Sequence, residues 1–203
     1  MIQKSVTVVL VHGFAASPYV MVPLGKRLNR HGYATLNWGY NSFSGSIEAH
    51  GVHLADVLKE LDRETGTDTI HLVGHSMGTA VIRCALKAFR PTKLGRLVLV
   101  TPPTKGVRIA SWIGPKLKGL AGTIDELADR PDSFIKTLPA LEGVEVGVIA
   151  ARFDHLIRPS ETHMLGQTDY LVVNTVHTAV LFGSCQTAVV RFLETGRFRL
   201  AKG

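Results

Sequence analysis

Between Thr69 and Phe89 an apolar run, a glycine-flanked turn and an amphipathic stretch follow one another without a gap. Few folds accept that succession. Residues 69–73 read as a strand, and residues 77–89 as a helix stopped before Pro91. Between them stands Gly74-His75-Ser76-Met77-Gly78. A chain that passes from strand to helix this quickly must bend so sharply that the central serine takes a strained backbone conformation. The positions two before and two after it then have no room for a side chain. The bend lifts the Ser76 hydroxyl clear of the surface and aims the Met77 N–H and the helix N-terminus at the same point.

The rest of the chain repeats the rhythm. Val6–Val11 is a continuous apolar strand, residues 21–30 a helix ended by Gly32, and residues 33–38 the next strand. Ile47–Arg63 places Ile47, Val52, Leu54, Ala55, Leu58 and Leu61 close to a helical period. Residues 97–100, 144–150 and 170–176 read as further strands, and 184–194 as a closing helix. Such uniformly apolar strands with helices between them predict a parallel α/β sheet buried on both faces. Residues 105–143 break the rhythm with Gly106, Gly114, Gly119 and Gly122 and two helix-like stretches, 124–128 and 133–138. A connection of this length is either a small cap beside the site or a crossover helix with a ragged entrance.

The length of 203 residues is that of one domain, expected over 1–203. Hydrophobic residues at 45% and charged residues at 19% supply an ordinary core and exclude disorder, collagen and coiled coil. The longest Val/Leu run, residues 8–11, falls far short of the ~20 residues of a membrane span. Met1-Ile2-Gln3-Lys4 runs almost directly into a strand with no signal-peptide pattern, so a cytoplasmic location is expected. Cys84 and Cys185 have neither metal-ligand spacing nor the number for a disulfide framework, and are expected as small core side chains. The net charge of +7 is localised: residues 76–124 hold nine basic side chains and no acidic one. Such a field could attract nucleic acid, anionic lipid or an acidic substrate. Without interleaved aromatics or a nucleic-acid motif it reads as a solvated face, and nucleic acid is not expected as a partner.

Ser76 is the candidate nucleophile, and a serine hydroxyl needs a base. Of nine histidines, His75 lies inside the turn, where its side chain points away from Ser76, and His71 lies mid-strand. His31, His50 and His53 belong to early helices, and His155 and His163 to the loop after the 144–150 strand. His177 directly follows the last strand, where a loop at the carboxyl edge of a parallel sheet reaches over Ser76. The acid that holds the imidazole should end another strand. Asp154 does so, whereas Thr101-Pro102-Pro103 follows residues 97–100, Asp125, Asp129 and Asp132 fall in the cap-like segment, and Asp169 precedes a strand. His12-Gly13-Phe14 follows the first strand, so the Phe14 N–H can join that of Met77 as an oxyanion donor, each worth ~3 kcal/mol. His12 reads as a hydrogen-bonding residue of that loop.

The order Ser76, Asp154, His177, with Val8-Val9-Leu10-Val11-His12-Gly13-Phe14, the Ser76 turn and His177-Thr178-Ala179-Val180-Leu181-Phe182, resembles the α/β-hydrolases. More narrowly it is similar to the small, nearly lidless bacterial lipases and esterases. The resemblance implies a reduced α/β-hydrolase fold of about six mostly parallel strands, no cofactor, no metal, and a catalytic triad of Ser76, His177 and Asp154 with Phe14 and Met77 as oxyanion donors. Two positions depart from the family pattern: Val176 precedes the histidine where Gly is usual, and Thr79 follows Gly78 where a small residue is usual. Phe43, Leu156 and Ile157 in edge loops and Trp112 in the cap-like segment are expected to line an apolar pocket, with Phe14, Met21, Trp38 and Tyr40 nearby. The expected partner is a small-molecule carboxylic ester, with lipid esters at an anionic membrane surface as one form. Acyl transfer, thioester cleavage on the same triad, or a non-catalytic binding role are the alternatives.

Overall fold

The computed structural model describes residues 5–107, 126–129 and 134–199. Six strands, β1 (Val6–Val11), β2 (Ala34–Trp38), β3 (Thr69–His75), β4 (Leu94–Val100), β5 (Val146–Ala151) and β6 (Asp169–Val173), form one sheet in the order β2-β1-β3-β4-β5-β6. Every pairing is parallel. The described helices are α1 (Val22–Arg30), α2 (Ile47–Arg63), α3 (Met77–Ala88), the one-turn α4 (Phe134–Thr137) and α5 (Ser184–Thr195), with single 3-10 turns at Pro18–Met21, Pro159–Glu161 and His177–Ala179. The reduced sheet with helices on both faces is the one expected.

Alternation along each strand builds two cores. Val9 and Val11 of β1 pack with Leu54, Leu58 and Val81 of α2 and α3, while Val8 and Leu10 pack with Leu28 of α1 and Val189 and Phe192 of α5. A slip of one residue would exchange the two sets, each side chain contributing ~1.5–3 kcal/mol on burial, so the register is strongly specified. Cys84 and Cys185 are buried within these cores. The chain runs from β1 out to β2 and returns to β3 on the opposite side of β1. The carboxyl ends of β1 and β3 therefore flank a topological switch point, where α/β sheets bind ligands.

Several boundaries differ from the sequence pattern. β4 begins at Leu94 and not at 97: Gly95 and Arg96 interrupt the apolar run and shift the register against β3 between Ile70 and Leu72, yet the strand continues through them. β6 stops at Val173 and not at 176. There the Thr175 N–H turns back to the Val173 carbonyl (3.0 Å) and the Thr175 carbonyl accepts from Phe153 N–H (3.0 Å). His177 thus opens a 3-10 turn four residues past the strand. Met21 is fully buried, and Trp38 lies in β2, where it stacks on Tyr40 at 5.2 Å between centroids.

The solvated-face reading of residues 76–124 does not hold throughout. Arg83 is 7% exposed and donates to the Leu138 and Pro139 carbonyls. Arg96 pairs with Glu145 at 2.7 Å and donates to the Leu193 carbonyl. Long side chains can be drawn inward wherever carbonyls await them, which no local charge count registers. Of the cap-like segment, Leu127, Ala128, Ile135, Leu138 and Leu141 pack into the α2–α3 core, Val107 bridges Ala128, and the Ile47 N–H donates to Glu126. Trp112, with Arg108, Lys116 and Lys118, lies outside the described residues, as do all of residues 108–125 and 130–133. Among the described residues no helix is long and apolar enough to cross a membrane.

Candidate active site

Ser76 joins β3 to α3 with φ +52° and ψ −123°. A non-glycine residue in such a conformation costs on the order of 1–3 kcal/mol and persists only where its surroundings over-determine it. Here they do. The Ser76 N–H donates to the Val100 carbonyl of β4 at 2.8 Å. The Ser76 carbonyl accepts from the Thr79 N–H at 3.0 Å and from its hydroxyl at 2.7 Å. Thr79, the departure from a small residue, thus fastens the turn. A Cβ on Gly78 would lie 2.4 Å from the His12 carbonyl, and one on Gly74 would lie 2.8 Å from Ile82 Cδ1, so both flanking positions admit only glycine without a shift.

The loop after β1 lies directly against this turn: a Cβ on Gly13 would stand 3.0 Å from Ser76 Cβ. His12 is fully buried, stacks on Tyr40 at 4.4 Å and bonds through Nδ1 to the Gly13 carbonyl at 2.8 Å, while the Tyr40 hydroxyl donates to the His12 carbonyl at 2.8 Å. Burial holds the His12 imidazole below its ordinary pKa, so it acts as a neutral brace. Beyond it Ala15 takes φ +52° and donates its N–H to Ser42 at 3.0 Å. The Phe14 and Met77 N–H groups have no hydrogen-bond partner among the described residues.

His177 and Asp154 meet, although they come from different loops. His177 Nδ1 lies 2.6 Å from Asp154 Oδ2, with the Asp154 side chain fully buried and that of His177 12% exposed. The other carboxylate oxygen accepts from the Leu156 N–H (2.8 Å) and the Ile157 N–H (2.9 Å). Burial works against ionisation of Asp154, but the His177 bond, the Ile157 N–H, the His177 charge and the Leu156 N–H together outweigh it, and the carboxyl stays below its usual range.

His75 links this pair to the serine turn. Its ring lies 5.0 Å from that of His177, and its Nε2 bonds to the His177 carbonyl at 3.3 Å. Burial first, and then the neighbouring His177, push its pKa down to about 3. His75 is therefore a neutral platform beneath His177, a role the sequence reading did not assign. Strand alternation carries the signal: Gly74 faces α3, so His75 must face the opposite layer, where the loop after β6 returns.

The expected pocket residues divide. Phe43 is 55% exposed and meets Phe14 edge-on at 5.1 Å, and Leu156 is 38% exposed. Ile157 is only 1% exposed, so its side chain belongs to the core and only its backbone N–H serves the site. Among the described residues no three His, Cys, Asp or Glu side chains are grouped to hold a metal ion.

Comparison with known proteins gives three findings. Residues 6–137 match the model of the alpha/beta hydrolase fold family. A Mycoplasma pneumoniae protein named "Putative esterase/lipase 3" is 30% identical over 98 residues, covering 47% of this chain and 36% of its own. The chain thus spans little more than a third of the curated relatives it matches. Among solved structures, the Bacillus licheniformis lipase BlEst2 in its propeptide form superposes with a TM-score of 0.77 at 16% identity, over 95% of this chain and 50% of that one. The Paleococcus ferrophilus monoacylglycerol lipase gives 0.68 at 17% identity, over 94% of both chains.

Proposed function

The chain belongs to the α/β hydrolase fold family, and from that premise we propose that it is a serine hydrolase of carboxylic esters, with Ser76, His177 and Asp154 as its triad. The observation that carries the reading is the 2.6 Å His177–Asp154 pair seated on His75, the residue next to the strained serine. Asp154 holds the proton on His177 Nδ1, which leaves Nε2 as the base. Nε2 takes the Ser76 proton as Oγ attacks the ester carbonyl, and the oxyanion lies between the Phe14 and Met77 N–H groups. The tetrahedral adduct collapses as His177 returns the proton to the leaving alcohol. Water, activated by the same imidazole, then releases the acid from the acyl-enzyme.

An apolar acyl group is the favoured substrate. Phe43, Phe153, Leu156, Val176 and Phe182, in the loops after β2, β5 and β6, all expose apolar surface. Contact with an anionic lipid surface belongs to the same proposal. The test is hydrolysis of p-nitrophenyl esters from acetate to palmitate by the wild type and by Ser76→Ala. Turnover confined to the wild type is the expected result, and its length optimum separates esterase from lipase. Equal rates would dismiss Ser76 as the nucleophile. Inactivity of both, with no labelling of Ser76 by a fluorophosphonate, would leave a binding role.

A further inference from the structure

Among the described residues, Arg83 is a buried cation with no carboxylate paired to it. It is 7% exposed on α3, and its Nη2 donates to the carbonyls of Leu138 and Pro139 just past α4. Carbonyls supply partial charge only. A buried ion left in that condition is costly unless a counter-ion reaches it.

Arg83 lines a cavity of about 300 Å³ together with Thr104 and Lys105, which follow β4, and His163 and Met164, which precede β6. Among the described residues no Asp or Glu lines it. The two walls are tied together by the Thr104 hydroxyl, which bonds to the Glu161 and His163 carbonyls. His163 presents a donor, and the hydrogen bonds show which one. The Met164 N–H donates to Gln167 Oε1 at 3.1 Å, so the amide nitrogen of Gln167 is the end that meets His163 Nδ1, also at 3.1 Å. Nδ1 is then the acceptor, and Nε2–H is left as the donor. The ring is held in place by stacking on Tyr170 at 4.0 Å. Lys105 is exposed and brings a mobile ammonium to the rim.

From this we propose that the cavity binds a compact oxyanion, a phosphate or carboxylate group of a small ligand, through Arg83, Lys105 and His163. It is separate from the serine centre: Arg83 stands seven residues along α3 from Ser76, about 10 Å at the helical rise of 1.5 Å per residue. Bound there, the ligand neutralises the buried guanidinium and joins α3 to the segments after β4 and before β6.

The test is thermal unfolding and titration calorimetry of the full chain with inorganic phosphate or acetate, against sodium chloride at the same ionic strength. The wild type should show saturable binding and stabilisation by at least one of the two anions beyond the chloride control. Phosphate alone, or acetate alone, identifies the group. Lys105→Ala, at an exposed position that does not threaten folding, should weaken the affinity about tenfold, the loss expected for one charge-assisted contact. Arg83→Met should abolish binding if it folds. No saturable response to either anion, or an affinity unchanged by Lys105→Ala, overturns the proposal.

Discussion

Replacing Asp154 with Asn should separate the chemistry of this site from its folding. The Asn carbonyl oxygen can keep both bonds from the Leu156 and Ile157 N–H groups, at 2.8 and 2.9 Å. Its amide nitrogen then faces His177 Nδ1, where a carboxylate oxygen stood at 2.6 Å. Two donors cannot share that contact, so the imidazole moves its proton to Nε2 and presents N–H to Ser76 where a base is required. Loss of the correct tautomer costs a factor of ~10⁴ in kcat, about 5 kcal/mol. Asp154→Ala differs, because it leaves the Leu156 and Ile157 N–H groups without an acceptor. Each orphaned donor costs ~1–3 kcal/mol, and at ~2–4 °C per kcal/mol the melting temperature should fall by roughly 4 °C or more. Both variants should therefore lose p-nitrophenyl ester hydrolysis, while only Ala lowers the melting temperature substantially. An Asn variant that keeps more than about a tenth of the wild-type kcat would refute the triad assignment, since so small a loss does not fit a tautomer change. Asn should also blunt acid denaturation. The folded carboxyl is depressed, so its stabilisation is present above the unfolded value near ~4 and is lost as pH falls through the folded value.

Other outcomes follow from the same contacts. Ser76→Gly removes the proposed nucleophile and relieves a positive φ, so activity should vanish while the melting temperature does not fall and rises by up to a few degrees; scanning calorimetry checks it. His75 and His71 are held by burial at about 3 and about 4, so the unfolded chain binds more protons below ~6.5. Stability should therefore decline as pH falls from ~6.5 toward those values, by on the order of 1 kcal/mol per pH unit for each histidine, and urea titrations at pH ~7 and ~5 would measure it. Phe43→Ala removes an exposed ring that touches Phe14, and should lower kcat/KM for long acyl esters several-fold while leaving acetate turnover little changed. An unaltered chain-length profile would remove Phe43 from the pocket.

What the sequence determined by itself is local. The apolar run of β1, the period of Ile47–Arg63 and the succession of strand, glycine-flanked serine and helix rest on interactions within a few residues, and each stands where its pattern placed it. Chain order and strand ends also named Asp154 and His177 together, and the two side chains meet at 2.6 Å, because in a parallel sheet every strand delivers its following loop to the same edge. Only the tertiary structure decided which long side chains turn inward and which loops meet. Arg83 reads as surface charge, yet carbonyls from a segment more than fifty residues away draw it into the interior. Ile157 reads as pocket wall, yet the bend at Asp154 turns its side chain into the core and lends only its N–H to the carboxylate. His75 reads as a bystander of the serine turn. Strand alternation fixes the face on which His75 lies, but it becomes the platform for His177 only because the chain leaves β6 at Val173 and folds back over β3.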